Sequence, residues 1–179
     1  MLKTNRLTTR EYVRNLTVTA LFMAMNVLLS MSIFSIPVPG GHLYFNDAII
    51  NTAAVLLNPW AAFAVGGVGS FLGDMLFYPA PMFVSLITHG LQAAAVSLIS
   101  HHFRRVRPVL ASSLAVTVGA IIMVVGYTLG RAYVYSTPEY AILKLPFQLF
   151  QAGFGAVISI ILLYPMQLRR TYDKRWHSG

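Results

Sequence analysis

The sequence predicts an all-α polytopic membrane protein with six transmembrane helices, both termini cytoplasmic and a ligand pocket facing outward. Three observations carry that expectation. Of 179 residues, 56% are apolar and 10% charged, against roughly 45–50% and about 25% in a soluble domain, so the chain cannot build a polar shell over one core. Its apolar residues fall into six runs, at about 15–35, 46–58, 60–77, 82–101, 109–131 and 141–167. Its basic residues bracket those runs: Lys3, Arg6, Arg10 and Arg14 precede the first, Arg104, Arg105 and Arg107 fall mid-chain, and Arg169, Arg170, Lys174 and Arg175 close the sequence.

The first run continues into Ile36-Pro37-Val38-Pro39-Gly40-Gly41 with no small-residue cleavage site, which reads as a retained span rather than a removable signal. The second run is short for a crossing that needs about 20 residues. It could tilt, be buried by its neighbours, or fuse with the third. The excess of basic residues on cytoplasmic loops decides for two separate crossings, because a fused 46–77 helix would put Arg104–Arg107 on the side opposite the amino terminus. Asn58-Pro59 is then a tight cytoplasmic turn. Tyr78-Pro79-Ala80-Pro81, the basic turn His101–Pro108 and Ser136-Thr137-Pro138-Glu139 separate the remaining runs. Residues 1–179 thus form a single membrane domain. This topology puts Asn46, Asp47, Asp74, Tyr78, Arg131, Glu139, Tyr140 and Lys144 toward the outside.

Several function classes are excluded. With no cysteine there are no thiolate metal sites, disulfides or cysteine nucleophiles. The net charge of +8 sits around apolar spans rather than on a soluble face, so nucleic acid is not an expected partner. No Gly-x-x-x-x-Gly-Lys-Ser/Thr phosphate loop occurs, so the chain does not use ATP by that route. Phe71-Leu72-Gly73-Asp74 lacks the Gly-x-Gly-Asp order of intramembrane aspartyl proteases, and Gly67-Val68-Gly69-Ser70 lacks the Gly-x-Ser-Gly order of rhomboid proteases. The chain is therefore not expected to be an enzyme, and no metal or cofactor is implied.

Four groups of residues stand out. Ala20 and Ala24, four apart, make a small-xxx-small pattern that lets another helix approach closely, although alanine pairs are common in membrane helices. Gly66, Gly67, Gly69, Ser70 and Gly73 suggest backbone packing within the bundle. Asp47, Asp74, His89, Gln92, Lys144, Gln148 and Gln151 are polar groups at membrane depth, costly unless paired or facing water. For Asp47 a helix cap and a ligand contact are equally open, and Arg131 and Lys144 could snorkel. Tyr44, Phe45, Tyr78, Phe83, Tyr127, Tyr133 and Tyr135 could form an interfacial belt or offer rings for stacking on a small flat heterocycle.

The Ala20/Ala24 pair, the stretch His42-Leu43-Tyr44-Phe45-Asn46-Asp47-Ala48, the glycine-rich Gly66-Gly67-Val68-Gly69-Ser70-Phe71-Leu72-Gly73-Asp74 and Thr88-His89-Gly90-Leu91 resemble the S components of energy-coupling factor (ECF) vitamin transporters. Within them they resemble the riboflavin-like subgroup that includes hydroxymethylpyrimidine and pyridoxine S components. The resemblance implies a substrate-binding subunit in a bacterial plasma membrane, working with a transmembrane coupling subunit (T component) and two cytoplasmic ATPases. It implies that Ala20 and Ala24 meet the coupling subunit. By location it implies a pocket holding His89, Gln92, Tyr127, Lys144 and Gln148, to which the polar-set reading adds Asn46, Asp47 and Tyr78. The expected substrate is a small water-soluble vitamin or precursor, with the pyridoxine and hydroxymethylpyrimidine class first. The alternative is a self-sufficient carrier or channel coupled to protons through Asp47, Asp74 and His89.

Overall fold

The computed structural model describes residues 9–31, 34–39, 41–103 and 107–177. In chain order they form α1 (Thr9–Leu29), β1 (Ile36–Val38), β2 (Gly41–Leu43), α2 (Asn46–Leu56), α3 (Pro59–Phe77), α4 (Met82–Phe103), α5 (Pro108–Tyr135), α6 (Pro138–Leu163) and α7 (Leu168–His177). Of the residues on which the charge argument rested, Lys3, Arg6, Arg104 and Arg105 lie outside the described residues.

Five of these helices, α1 and α3 to α6, are long and apolar enough to cross a bilayer. The expected second crossing is the 11-residue α2, shorter at ~1.5 Å per residue than the ~30 Å hydrocarbon layer, yet it carries the chain from the hairpin end to Leu57 at the opposite end. It is short because it is interior. Every residue of α2 except Ile49 is buried, and its run of small and apolar side chains suits a helix enclosed on all sides. Thr52 Oγ1 donates back to the Ala48 carbonyl at 2.7 Å, so the hydroxyl adds no unpaired group. At Asn58 the chain turns, and that side chain accepts from Ala61 N–H at 3.0 Å while Pro59 opens α3, as a capping residue and a first-turn proline should.

Helix α3 packs on both sides through its glycines. A Cβ on Gly66 or Gly67 would collide with the His89 or Leu86 carbonyl of α4, and one on Gly69 or Gly73 with Asn26 of α1 or with Ser30 just after it. The Ala64–Val68 stretch of α3 winds as a π-helix. Buried Asn26 reaches it from α1, donating to the Val65 carbonyl at 2.8 Å and to Ser70 Oγ at 3.1 Å. A second π-helical turn, Arg131–Tyr135, ends α5.

Two ends differ. At one, Ser97 Oγ bonds the Leu57 carbonyl and Tyr164 Oη the Pro108 carbonyl, with α7 folded alongside. At the other, the β1–β2 hairpin, with Ile36 opposite Leu43, sits over the ends of α3, α5 and α6. The first span therefore stops at Leu29 rather than near residue 35, because Pro37 and Pro39 belong to a hairpin. The last stops at Leu163 rather than 167, because Pro165 cannot continue a helix.

Candidate functional site

At the hairpin end a cavity is walled by the hairpin and by helices α2 to α6. The hairpin and the residues after it supply His42 and Tyr44, α2 Asn46, α3 Asp74 and its terminal neighbour Tyr78, the next turn Pro81, and α4 His89. Helix α5 adds Met123, Tyr127, Arg131 and Tyr135, and α6 Lys144, Gln148 and Gln151. Met123, Tyr127 and Arg131 recur every four residues, and Lys144, Gln148 and Gln151 follow at four and three, so each set occupies one helical face. Water-sized molecules can centre themselves in about 40 Å³ of the cavity. That is small beside the roughly 300–1,000 Å³ of ligand pockets, so a vitamin-sized ring requires side chains to swing aside.

The walls carry many polar side chains, and some of these are unpaired. Among the described residues, Asn46 Oδ1, His42 Nδ1 and Tyr135 Oη are buried without a protein hydrogen-bond partner. Such groups cost about 1–3 kcal/mol each, a cost that a ligand or water can relieve. Asp74 accepts from Ser85 Oγ, which also contacts Tyr127 Oη. Lys144 Nζ donates to the His42 carbonyl and so ties α6 to the hairpin. Gln148 Nε2 donates to the Val124 carbonyl at 2.7 Å. The Tyr127 ring meets His89 edge-on at 5.1 Å and Tyr78 meets His42 at 5.8 Å. Tyr44, half-buried outside the spans, has its phenol pushed up to about 12, chiefly by burial and then by the nearby Asp74 charge, so it remains a neutral donor at physiological pH.

Beneath the cavity lies a buried amide–carboxyl network. Asp47 Oδ1 accepts from Gln92 Nε2 at 3.0 Å and Oδ2 from Gln151 Nε2 at 2.7 Å. Gln92 Nε2 also reaches Asn51 Oδ1 at 3.2 Å, and Gln92 Oε1 lies 2.7 Å from His89 Nδ1. Asp47 stands in the first turn of α2, yet the residue at the cap position, Phe45, makes no side-chain cap bond. Asp47 links α2 to α4 and α6 rather than capping its own helix.

A family model described as "ECF-type riboflavin transporter, S component" matches residues 11–170. The chain belongs to that family. This S component is 32% identical over 145 residues to an "Uncharacterized protein in gap 3'region" of Pyrococcus woesei, an alignment covering 80% of this chain and 95% of the relative. Among solved structures, one reported under "Structure and mechanism of the S component of a bacterial ECF transporter" superposes with a TM-score of 0.67 at 18% identity, covering 89% of this chain and 98% of that one. It shows the same fold. The S component is thus a multi-pass membrane protein and a substrate-binding transport subunit, not itself an enzyme, of a family whose members work with a T component and ATPases.

Of the residues singled out from sequence, Asn46, Tyr78, His89, Tyr127, Lys144 and Gln148 all line the cavity of this S component. Asp47 and Gln92 do not; they hold its floor from below. Ala20 and Ala24 lie exposed on α1, away from the cavity. Phe83 and Tyr133 are exposed on the outside of the bundle, so they fit the interfacial reading rather than the pocket. Met123 was missed altogether, as was a pocket role for His42, and Arg131 was weighed only as a snorkelling charge. The spacing Met123, Tyr127, Arg131 at four-residue steps was the available signal.

Proposed function

We propose that this protein is the substrate-capturing subunit of an ECF-type importer in a bacterial plasma membrane, binding a small water-soluble vitamin or precursor from outside. The observation that carries the reading is the polar cavity at the hairpin end of an otherwise apolar bundle, where imidazoles, phenols, amides and a lysine converge in a chain of S-component fold. The pyridoxine and hydroxymethylpyrimidine class suits it best. Asn46, His89, Lys144 and Gln148 would bond ring nitrogens and hydroxymethyl groups, with Tyr127 or Tyr78 against the ring. Riboflavin, which the family description names, is the next candidate. Asp47 and Gln92 would act by holding His89 and Gln151 in place. In this reading both termini are cytoplasmic and the cavity faces outward.

The exposed Ala20 and Ala24 would meet a T component, through which two ATPases supply the energy that this chain lacks. The test is direct. Purified protein in detergent should gain thermal stability with one vitamin in a screen without ATP, and liposomes holding it alone should take up none until the T component and ATPases are added. Proton-driven uptake by the chain alone would replace this reading with that of a carrier.

A further inference from the structure

Two cations face the same small cavity. Arg131 is 7% exposed and Lys144 3%, and both line it, with Asp74 as the one acid lining it among the described residues. Arg131 lies against the hairpin, where a Cβ on Gly41 would stand 3.3 Å from its guanidinium, and Lys144 bonds the next residue's carbonyl. The two are therefore gathered under the same two hairpin residues. Asp74 lies elsewhere in the wall, beside Ser85 and Tyr127 between α3, α4 and α5.

Two like charges buried together repel each other and lose hydration; the Tyr135 ring, 5.2 Å from the Arg131 guanidinium, offsets part of that, and an anion between the two cations would offset more. A neutral heterocycle would need only donors there, which the cavity already has in Gln148, His89 and its phenols. Anchoring the hairpin needs one such contact, since a neutral amide can donate to the His42 carbonyl as well as an ammonium can.

We infer that the hairpin side of the cavity, Arg131 with Lys144, is an anion subsite, and that the substrate is a ring bearing a carboxylate or phosphate. The planar guanidinium grips either group in a bidentate manner and the ammonium adds a compact charge. Asp74, beside Ser85 and Tyr127, takes a ring N–H or amino donor, so the substrate is bipolar. This rests on the proposed vitamin-binding function and narrows its substrate class to anion-bearing members, such as pyridine carboxylates or phosphate esters of pyridoxine or hydroxymethylpyrimidine.

The test compares matched probes on the purified full chain by calorimetry or thermal shift: nicotinamide against nicotinate for the carboxylate, and pyridoxine against pyridoxine 5′-phosphate for the phosphate, within a wider vitamin screen. The anionic member of at least one pair should bind tenfold or more tightly, and the best ligand of the screen should carry the same group. Lys144→Gln and Arg131→Gln should each weaken the anionic member by several-fold more than the neutral one, so that most of that preference is lost. A neutral best ligand overturns the inference and leaves the vitamin-binding reading standing. Equal loss of neutral and anionic binding in both variants also overturns it, because the cations then only hold the hairpin. A screen with no ligand at all removes both readings. The wild-type comparison decides even if a variant fails to fold.

Discussion

Gly66→Ala is the substitution whose cost follows most directly from the geometry. The added Cβ would lie 2.5 Å from the His89 carbonyl oxygen and 2.8 Å from Ala93 Cβ. Both contacts are with the α4 helix itself, not with a flexible side-chain end, so α3 and α4 must separate by nearly ~1 Å, an overpacking that typically costs ~1–3 kcal/mol. For a chain of this size each kcal/mol lowers a melting temperature by about 2–4 °C. The displaced segment carries His89 in the cavity wall, so ligand affinity should fall together with stability. The assay is thermal unfolding in detergent with and without the best vitamin of the screen. Gly153→Ala is the control: nothing lies within 4 Å of its added methyl, and alanine is the better helix former by ~0.5–1 kcal/mol, so its melting point should hold or rise. If Gly66→Ala melts and binds like the wild type, the close approach of α3 to α4 is wrong.

Asp47→Asn places an amide donor against that of Gln92 or Gln151 and should cost ~1–3 kcal/mol of stability, read as a lower melting point even without ligand. His89→Ala and Gln148→Ala should weaken vitamin binding, and unchanged affinity would remove them from the pocket. Bulky residues at Ala20 and Ala24 should leave melting within ~0.5 kcal/mol of wild type, as exposed sites do, and spare binding while abolishing uptake by the assembled transporter; equal loss of binding would refute that assignment. The raised Tyr44 phenol contributes stability that is complete below the ordinary tyrosine value near 10 and is lost as pH rises through about 12. Tyr44→Phe should flatten the alkaline end of the melting profile, less visibly in high salt because the group is only half-buried.

The spans were legible because long apolar runs and turn residues report directly on helices that face lipid. The sequence is less explicit about interior helices. Asn46–Leu56 is as apolar as the other spans, and its short length and its enclosure by α1, α3, α4 and α6 set it apart. The pocket was legible through polar residues at membrane depth, since Lys144, Gln148 and His89 have few other reasons to be there. The division between wall and floor was not. Asp47 and Asn46 are neighbours in sequence, yet a 100° step around α2 sends one into the amide network and leaves the other on the cavity. The pocket role of the second cation is hidden for a similar reason: Arg131 stands at the end of a span, where a snorkelling side chain and one turned inward look alike in sequence.

Gln151 is shared between roof and foundation. Its carbonyl oxygen receives the Tyr44 backbone N–H at 3.1 Å, while its nitrogen serves Asp47 at 2.7 Å. One planar group, unable to rotate its two ends independently, is gripped from both directions. Lifting the strand above it strands that oxygen, and swivelling to follow robs the carboxyl below. In the proposed reading, raising the hairpin to admit a solute would therefore disturb Asp47 and the first turn of the short enclosed helix as well.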